Sequence, residues 1–175
     1  MTRSIDEPKR IYTIGHSTRS AEEFLAILAD ADIQLVADVR AFPSSRRHPQ
    51  FNRGAVTAWL ASAGIGYRHF GGLGGRRPPI PGSVNGGWHE RGFQGYADYM
   101  NSEEFKRALS NLETVASKSP TAIMCAEALW WRCHRRLIAD ALVVGGWRVE
   151  HLGIDGGPVV HSLTEFAVVG PDGVL

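Results

Sequence analysis

Cysteine is nearly absent from this 175-residue chain: there are two, at positions 125 and 133. That excludes a disulfide framework and leaves free thiols, metal ligands, a redox pair, or small buried apolar residues. Lysine is scarce as well, 3 of 19 basic residues, the other 16 being arginine. Acids are missing altogether from Val39 to His89. No apolar run approaches the roughly 20 residues of a membrane-spanning helix. The opening MTRSIDEPKR has no apolar centre of the kind a secretory signal needs. The expectation is a cytoplasmic protein with no membrane partner.

What is present is ordinary in bulk and uneven in detail. Hydrophobic content of 43% and charged content of 21% suit one globular domain over residues 1–175. Residues 1–10 read as a loose lead-in and 153–175 as a C-terminal extension. Net charge is only +1, yet the acid-free segment carries Arg40, Arg46, Arg47, Arg53, Arg68, Arg76 and Arg77. Arginine forms planar, bidentate pairs with phosphate or carboxylate that lysine cannot. A G+C-rich genome accounts for the Arg/Lys ratio but not for the missing acids. The segment therefore reads as an anion-facing surface.

The hydrophobic patterning predicts alternating strands and helices. Strands are expected at 10–15 (RIYTIG), 33–40 (IQLVADVR), 66–70 (GYRHF), 121–127 (TAIMCAE) and 147–152 (WRVEHL), with one more short strand possible at 165–169 (EFAVV). Helices are expected at 20–31, where Ser20 and Glu23 have capping-box spacing, and at 55–64, 96–117 and 133–146. The 96–117 stretch has a possible break near Asn101–Ser102. The Gly/Pro-rich segments 41–54 and 71–92 read as loops. This order predicts an α/β fold: an open, mostly parallel sheet of about five strands with helices on both faces.

Parallel strands point their carboxyl ends to one edge, where open α/β sheets bind ligands. The chemically capable residues fall at those ends. The first strand leads into His16-Ser17, the second ends in Asp38-Val39-Arg40 followed by Ser44 and Arg46, and the fourth ends in Cys125-Ala126-Glu127. The next helix opens with Cys133-His134-Arg135. A helix N-terminus favours anions and lowers a nearby thiol's pKa. Cys125 is thus the candidate nucleophile, with Glu127, His134 and Asp38 as acid/base candidates. His16, Ser17, Arg40, Ser44, Arg46, Arg76, Tyr96, Cys133 and Arg135 are the candidate substrate or anion-binding residues. Cys-x7-Cys-His is not a zinc spacing, and no metal is expected. The tight Cys-x-x-Cys of redox motifs is absent. GGLGGRR (71–77) lacks both the Walker lysine and the dinucleotide pattern, and no cofactor is expected. Trp130 and Trp131 either stack a nucleobase or cover the core.

IYTIGHS, DVR followed by Pro and Ser, LGGRR, YADYM and CAE…CHR, in this order and spacing, together resemble the domain of unknown function 488 family of bacterial and archaeal proteins. The resemblance runs from about Ile11 to Leu152. It implies an α/β fold and matches polar signature residues to His16, Ser17, Asp38, Arg40, Cys125, Glu127, Cys133, His134 and Arg135. It implies no reaction. The linker ALWW is apolar where the family is associated with a more polar one. The residues themselves point to an enzyme acting on a phosphate-bearing partner, a nucleotide or a nucleic acid. The rivals are a non-catalytic nucleic-acid-binding domain and a scaffold whose polar residues form an internal network.

Overall fold

The computed structural model describes residues 7–75, 77–88 and 90–165. In these, six strands form one sheet: β1 (Arg10–Gly15), β2 (Leu35–Asp38), β3 (Gly66–His69), β4 (Thr121–Cys125), β5 (Arg148–His151) and β6 (Val159–Val160). The spatial order is β3-β2-β4-β1-β5-β6. The first five are mutually parallel, and β6 runs antiparallel to β5. The expected open, mostly parallel α/β sheet is therefore what forms, with one strand more than the five counted. The possible strand at 165–169 lies, beyond Glu165, outside the described residues.

Five α-helices accompany the sheet among the described residues: α1 (Ala21–Asp30), α2 (Arg53–Ser62), α3 (Arg91–Tyr99), α4 (Glu103–Ala116) and α5 (Arg135–Val144). The capping box that starts α1 forms as its spacing requires. Ser20 Oγ accepts from the Glu23 N–H at 3.1 Å, and Glu23 Oε1 accepts from the Ser20 N–H at 3.3 Å. The single stretch 96–117 is two helices. Ser102 caps the second through a bond from the Phe105 N–H at 3.2 Å.

Each face of the sheet has its own core. Phe24 and Leu28 of α1 and Val56 and Leu60 of α2 pack on Ile14, Val36, Ala122 and Met124. Leu112 of α4 and Leu137, Ile138 and Leu142 of α5 pack on Ile11, Ala37, Ile123 and Val149. The i, i+4 spacing on each helix puts these side chains on one stripe. Full burial of each such residue stabilises by about 1.5–3 kcal/mol.

The connections fix where a ligand can enter. After β2 the chain passes through α2 to the outer strand β3. After β4 it passes through α5 to β5, on the far side of β1. β2 and β4 are neighbours, so their carboxyl ends diverge onto opposite faces and leave a crevice between them. The segments that follow them, 39–48 and 126–134, form its walls.

Candidate functional site

The crevice is a cleft of about 860 Å³. His16, Ser17, Arg40, Ser44, Arg46, Tyr96, Cys125, Glu127, Cys133 and His134 all line it. Residues separated by more than a hundred positions are thus brought together at the carboxyl edge. Asp38 and Arg135 lie beneath the cleft rather than in its lining. Arg76 is outside the described residues. His16 and Cys125 reach the cleft from different sides of the sheet: His16 stacks on Phe51 at 4.3 Å, whereas Cys125 belongs to the core on the α5 face.

The first wall begins with Asp38, which is fully buried. Its carboxylate accepts Arg40 Nε–H at 2.9 Å and Nη2–H at 2.7 Å, the Arg40 backbone N–H at 3.1 Å, and the Tyr67 hydroxyl. A buried carboxylate needs partners of this kind, and here its acceptor positions are occupied. Burial and the Asp38 carboxylate push the Tyr67 phenol up, so that it stays protonated as a donor. Arg40 is buried too. Its Nη1 faces His16 Nε2 at 3.5 Å. His16 donates Nδ1–H to the Ser17 carbonyl at 3.0 Å, which leaves Nε2 as the acceptor toward Arg40. Burial first, and the charge of Arg40 with it, lower the His16 pKa to about 4, so the ring is neutral at pH 7.

The second wall carries the thiols. β4 ends at Cys125, a 3-10 turn at Trp130–Arg132 folds the chain back, and Cys133 arrives beside it with the two Sγ atoms 2.6 Å apart. His134 starts α5. Its Nε2–H donates to the Val39 carbonyl at 2.8 Å, which leaves the Nδ1 lone pair facing Cys133 Sγ at 3.4 Å. The Arg135 N–H also points at Cys133 Sγ, at 3.5 Å. Burial pushes the Cys133 thiol up, but the Cys125 hydrogen bond, His134 and the charge of Arg135 together hold it well below the usual thiol range. Cys125 goes the other way. Burial, its bond to Cys133 and the negative charge there raise it well above that range. The cysteine placed to carry negative charge is therefore Cys133, and Cys125 keeps its proton.

Arg135 does not reach the cleft. It is 1% exposed and ties the loop down from below. Nη2–H donates to the Glu127 carbonyl at 2.6 Å and the Ala128 carbonyl at 3.3 Å, and Nη1–H donates to Thr13 Oγ1 at 3.2 Å. The expectation that it faces an anion in the cleft is corrected by this geometry. The position lies on the inner stripe of α5, and backbone carbonyls there need a donor. Tyr96 and Tyr99 likewise spend their hydroxyls on the glycine-rich segment, at the Leu73 and Gly72 carbonyls (2.9 and 2.7 Å). Only the ring of Tyr96 lines the cleft. Trp130 stacks flat on His151 at 4.3 Å as a cover, and Trp131 is exposed.

The match that decides the family is that to the Domain of unknown function DUF488, over residues 20–142. The chain belongs to the DUF488 family. No curated protein and no solved structure matches it.

In this DUF488 chain, the cleft contains residues beyond the candidates named from sequence, Arg47 among them from the anion-facing segment. Arg47, His48, Phe42 and Arg132 join Arg46 at the rim. Among the described residues, Arg46, Arg47 and Arg132 are exposed and in no ion pair, unlike Arg40. Glu127 is exposed, its Oε1 accepting from the Leu129 N–H at 3.3 Å. Two glycines here permit close packing. A Cβ at Gly15 would sit 2.0 Å from the Glu127 carbonyl oxygen, and one at Gly75 would be 3.1 Å from His134 Nδ1. Among the described residues no group of three His, Cys, Asp or Glu side chains converges to hold a metal, and no helix is long and apolar enough to cross a membrane.

Proposed function

We propose that the cleft binds a phosphate-bearing ligand of mononucleotide size and performs thiol chemistry on it. The observation that carries this is the alignment of Cys133, His134 and the Val39 carbonyl beneath a rim of exposed arginines. A thiol beside an imidazole whose far nitrogen is pinned is the arrangement that activates a nucleophile. Cys133 attacks an electrophilic centre of the bound ligand, and His134 carries the proton from thiol to leaving group. Cys125, the nucleophile expected from sequence, stands behind Cys133 and donates to it. Exposed Glu127 is the second proton carrier. Arg46, Arg47 and Arg132, with Ser17 and Ser44, hold the anion. Asp38 and Arg40 set the first wall, and Arg135 sets the second. The size agrees, since small-molecule clefts run about 300–1,000 Å³.

A second reading, nucleic-acid binding without catalysis, is favoured by Phe42, 75% exposed on the arginine rim where a base could stack. Calorimetric titration with inorganic phosphate, adenosine monophosphate and a short single-stranded oligonucleotide separates the two. The first reading expects saturable mononucleotide binding that phosphate competes away and that Arg46→Glu with Arg132→Glu weakens at least tenfold, since hydrogen bonds to charged groups contribute about 1.5–3 kcal/mol. Oligonucleotide binding alone, steeply salt-dependent and unchanged in Cys133→Ala, selects the second. No binding of any probe overturns both.

A further inference from the structure

The two cysteines are separated by seven residues, a spacing that argued against a redox pair. The fold cancels that argument. The turn at Trp130–Arg132 brings Cys133 back onto the end of β4, with Cys125 Sγ and Cys133 Sγ 2.6 Å apart, both as buried free thiols that line the same cleft. We propose that Cys125 and Cys133 are a redox-active dithiol that closes to an intramolecular disulfide when a hydroperoxide enters the cleft. This rests on the placement of the sulfurs and not on which phosphate-bearing ligand binds.

The steps balance within the residues present. His134 Nδ1 takes the Cys133 proton, and the Cys133 thiolate attacks the outer oxygen of the hydroperoxide. The S–O bond forms, the O–O bond breaks, and the departing alkoxide takes the proton from His134 to leave as the alcohol. Cys133 is now a sulfenic acid. Cys125 is the only other thiol in the chain and already lies against it. Its sulfur attacks Cys133 Sγ, the S–O bond breaks, and hydroxide leaves as water with the Cys125 proton. The sulfur pair has lost two electrons and the peroxide has gained them. An external thiol reverses the bond by exchange.

Three features suit the pair to this role. Cys133 gives up its proton readily beside Cys125, His134 and Arg135, and Cys125 keeps its own until resolution. Cys133 lines the cleft with 6% of its surface exposed, an opening that suits only a small oxidant such as a hydroperoxide. Closing the bond also removes the Cys133 thiol from His134, so oxidation silences whatever nucleophilic chemistry the cleft performs.

The test uses the reduced full-length chain, treated with one equivalent of hydrogen peroxide at pH 7 and followed by intact mass and maleimide labelling. The expected result is a monomer that has lost two hydrogens, with no labelled thiol, and full return of both thiols with dithiothreitol. The reaction should outpace that of free cysteine by about tenfold or more, because a free thiol is only a few per cent ionised at pH 7. In Cys125→Ser, Cys133 should stop at a sulfenic acid that dimedone traps. A wild-type chain that keeps both thiols, gains oxygen without losing hydrogens, or forms its disulfide between chains overturns the proposal, whether or not the variant folds.

Discussion

Replacing His134 with glutamine tests the electrostatics of the cleft most directly. In the native site the imidazole sits 3.4 Å from Cys133 Sγ and is held there by its bond to the Val39 carbonyl. Glutamine keeps a donor for Val39 but has no ring nitrogen to exchange a proton with the thiol. A hydrogen bond to a charged group contributes about 1.5–3 kcal/mol, and each pKa unit corresponds to about 1.36 kcal/mol, so the Cys133 midpoint should rise by about one to two units. The sign follows from the charge. The native site favours the thiolate, so reactivity is present above the Cys133 pKa and is lost as pH falls through it; the variant loses it at higher pH. The assay is the rate of iodoacetamide alkylation from pH 5 to 10, resolved peptide by peptide. Cys125 should remain slow throughout, because burial and its neighbour hold it protonated. A Cys133 midpoint in the wild-type chain at or above that of a free thiol, or one that His134→Gln leaves in place, refutes the reasoning.

Gly15→Ala should cost at least about 2 kcal/mol in urea unfolding, because its Cβ would fall 2.0 Å from the Glu127 carbonyl oxygen, which Arg135 fixes from the other side. Arg135→Met should cost about 1–3 kcal/mol by the same assay, since it takes the guanidinium donor from the partly buried Glu127 and Ala128 carbonyls. It should also broaden the amide signals of residues 126–129. His16 and His151 have pKa values lowered by burial to about 4 and about 3, so the unfolded chain takes up protons near pH 6.5 that the native chain refuses. Stability is therefore complete above pH 6.5 and declines as pH falls toward 4, His16 alone accounting for on the order of 3 kcal/mol. Denaturant midpoints that stay level across pH 7 to 4.5 contradict this. Ser20→Ala should cost about 1 kcal/mol through loss of the α1 cap, with the cleft unaffected.

How much of this was legible in the sequence depended on how local the cause was. The capping box at Ser20 and Glu23 is a four-residue pattern, and it forms as written. The parallel sheet followed from alternation, and with it the convergence of His16, Arg40 and Cys125 on one edge. The start of α3 did not. Arg91 and Gly92 fall at the end of the expected loop 71–92 and 93–95 in no expected element, but Gly95 is helical and needed for packing: its missing Cβ makes room for the Arg77 carbonyl, which would lie 1.7 Å away. β6 spans two residues, too few for any periodicity. The sequence places Cys133, His134 and Arg135 together at the helix start, and only the α5 stripe decides that Arg135 is buried while its neighbour Arg136 is half-exposed. The approach of the two sulfurs depends on the turn between them, which has no spacing signature of its own.

The deepest layer was invisible for a different reason: it joins four segments distant in sequence. Arg135 Nη1–H donates to Thr13 Oγ1. The Thr13 hydroxyl donates to His151 Nδ1 at 2.6 Å, His151 Nε2–H to His161 Nδ1 at 2.9 Å, and His161 Nε2–H to Asp140 Oδ1 at 2.8 Å. Every group has one consistent direction of donation, because Arg135 can only donate and the Asp140 carboxylate can only accept. Thr164 completes Asp140 with its N–H and hydroxyl, at 3.0 and 2.7 Å. The C-terminal extension is therefore an integral part of the fold as far as Thr164, since without His161 and Thr164 the buried Asp140 carboxylate loses its donors. The same chain of bonds holds Arg135 under the Glu127–Ala128 carbonyls, which shape the wall that Cys133 and Glu127 share. Two tiers result: buried ionic groups that spend their hydrogen bonds on backbone and on each other, and above them an exposed rim of Arg46, Arg47 and Arg132, in no ion pair among the described residues.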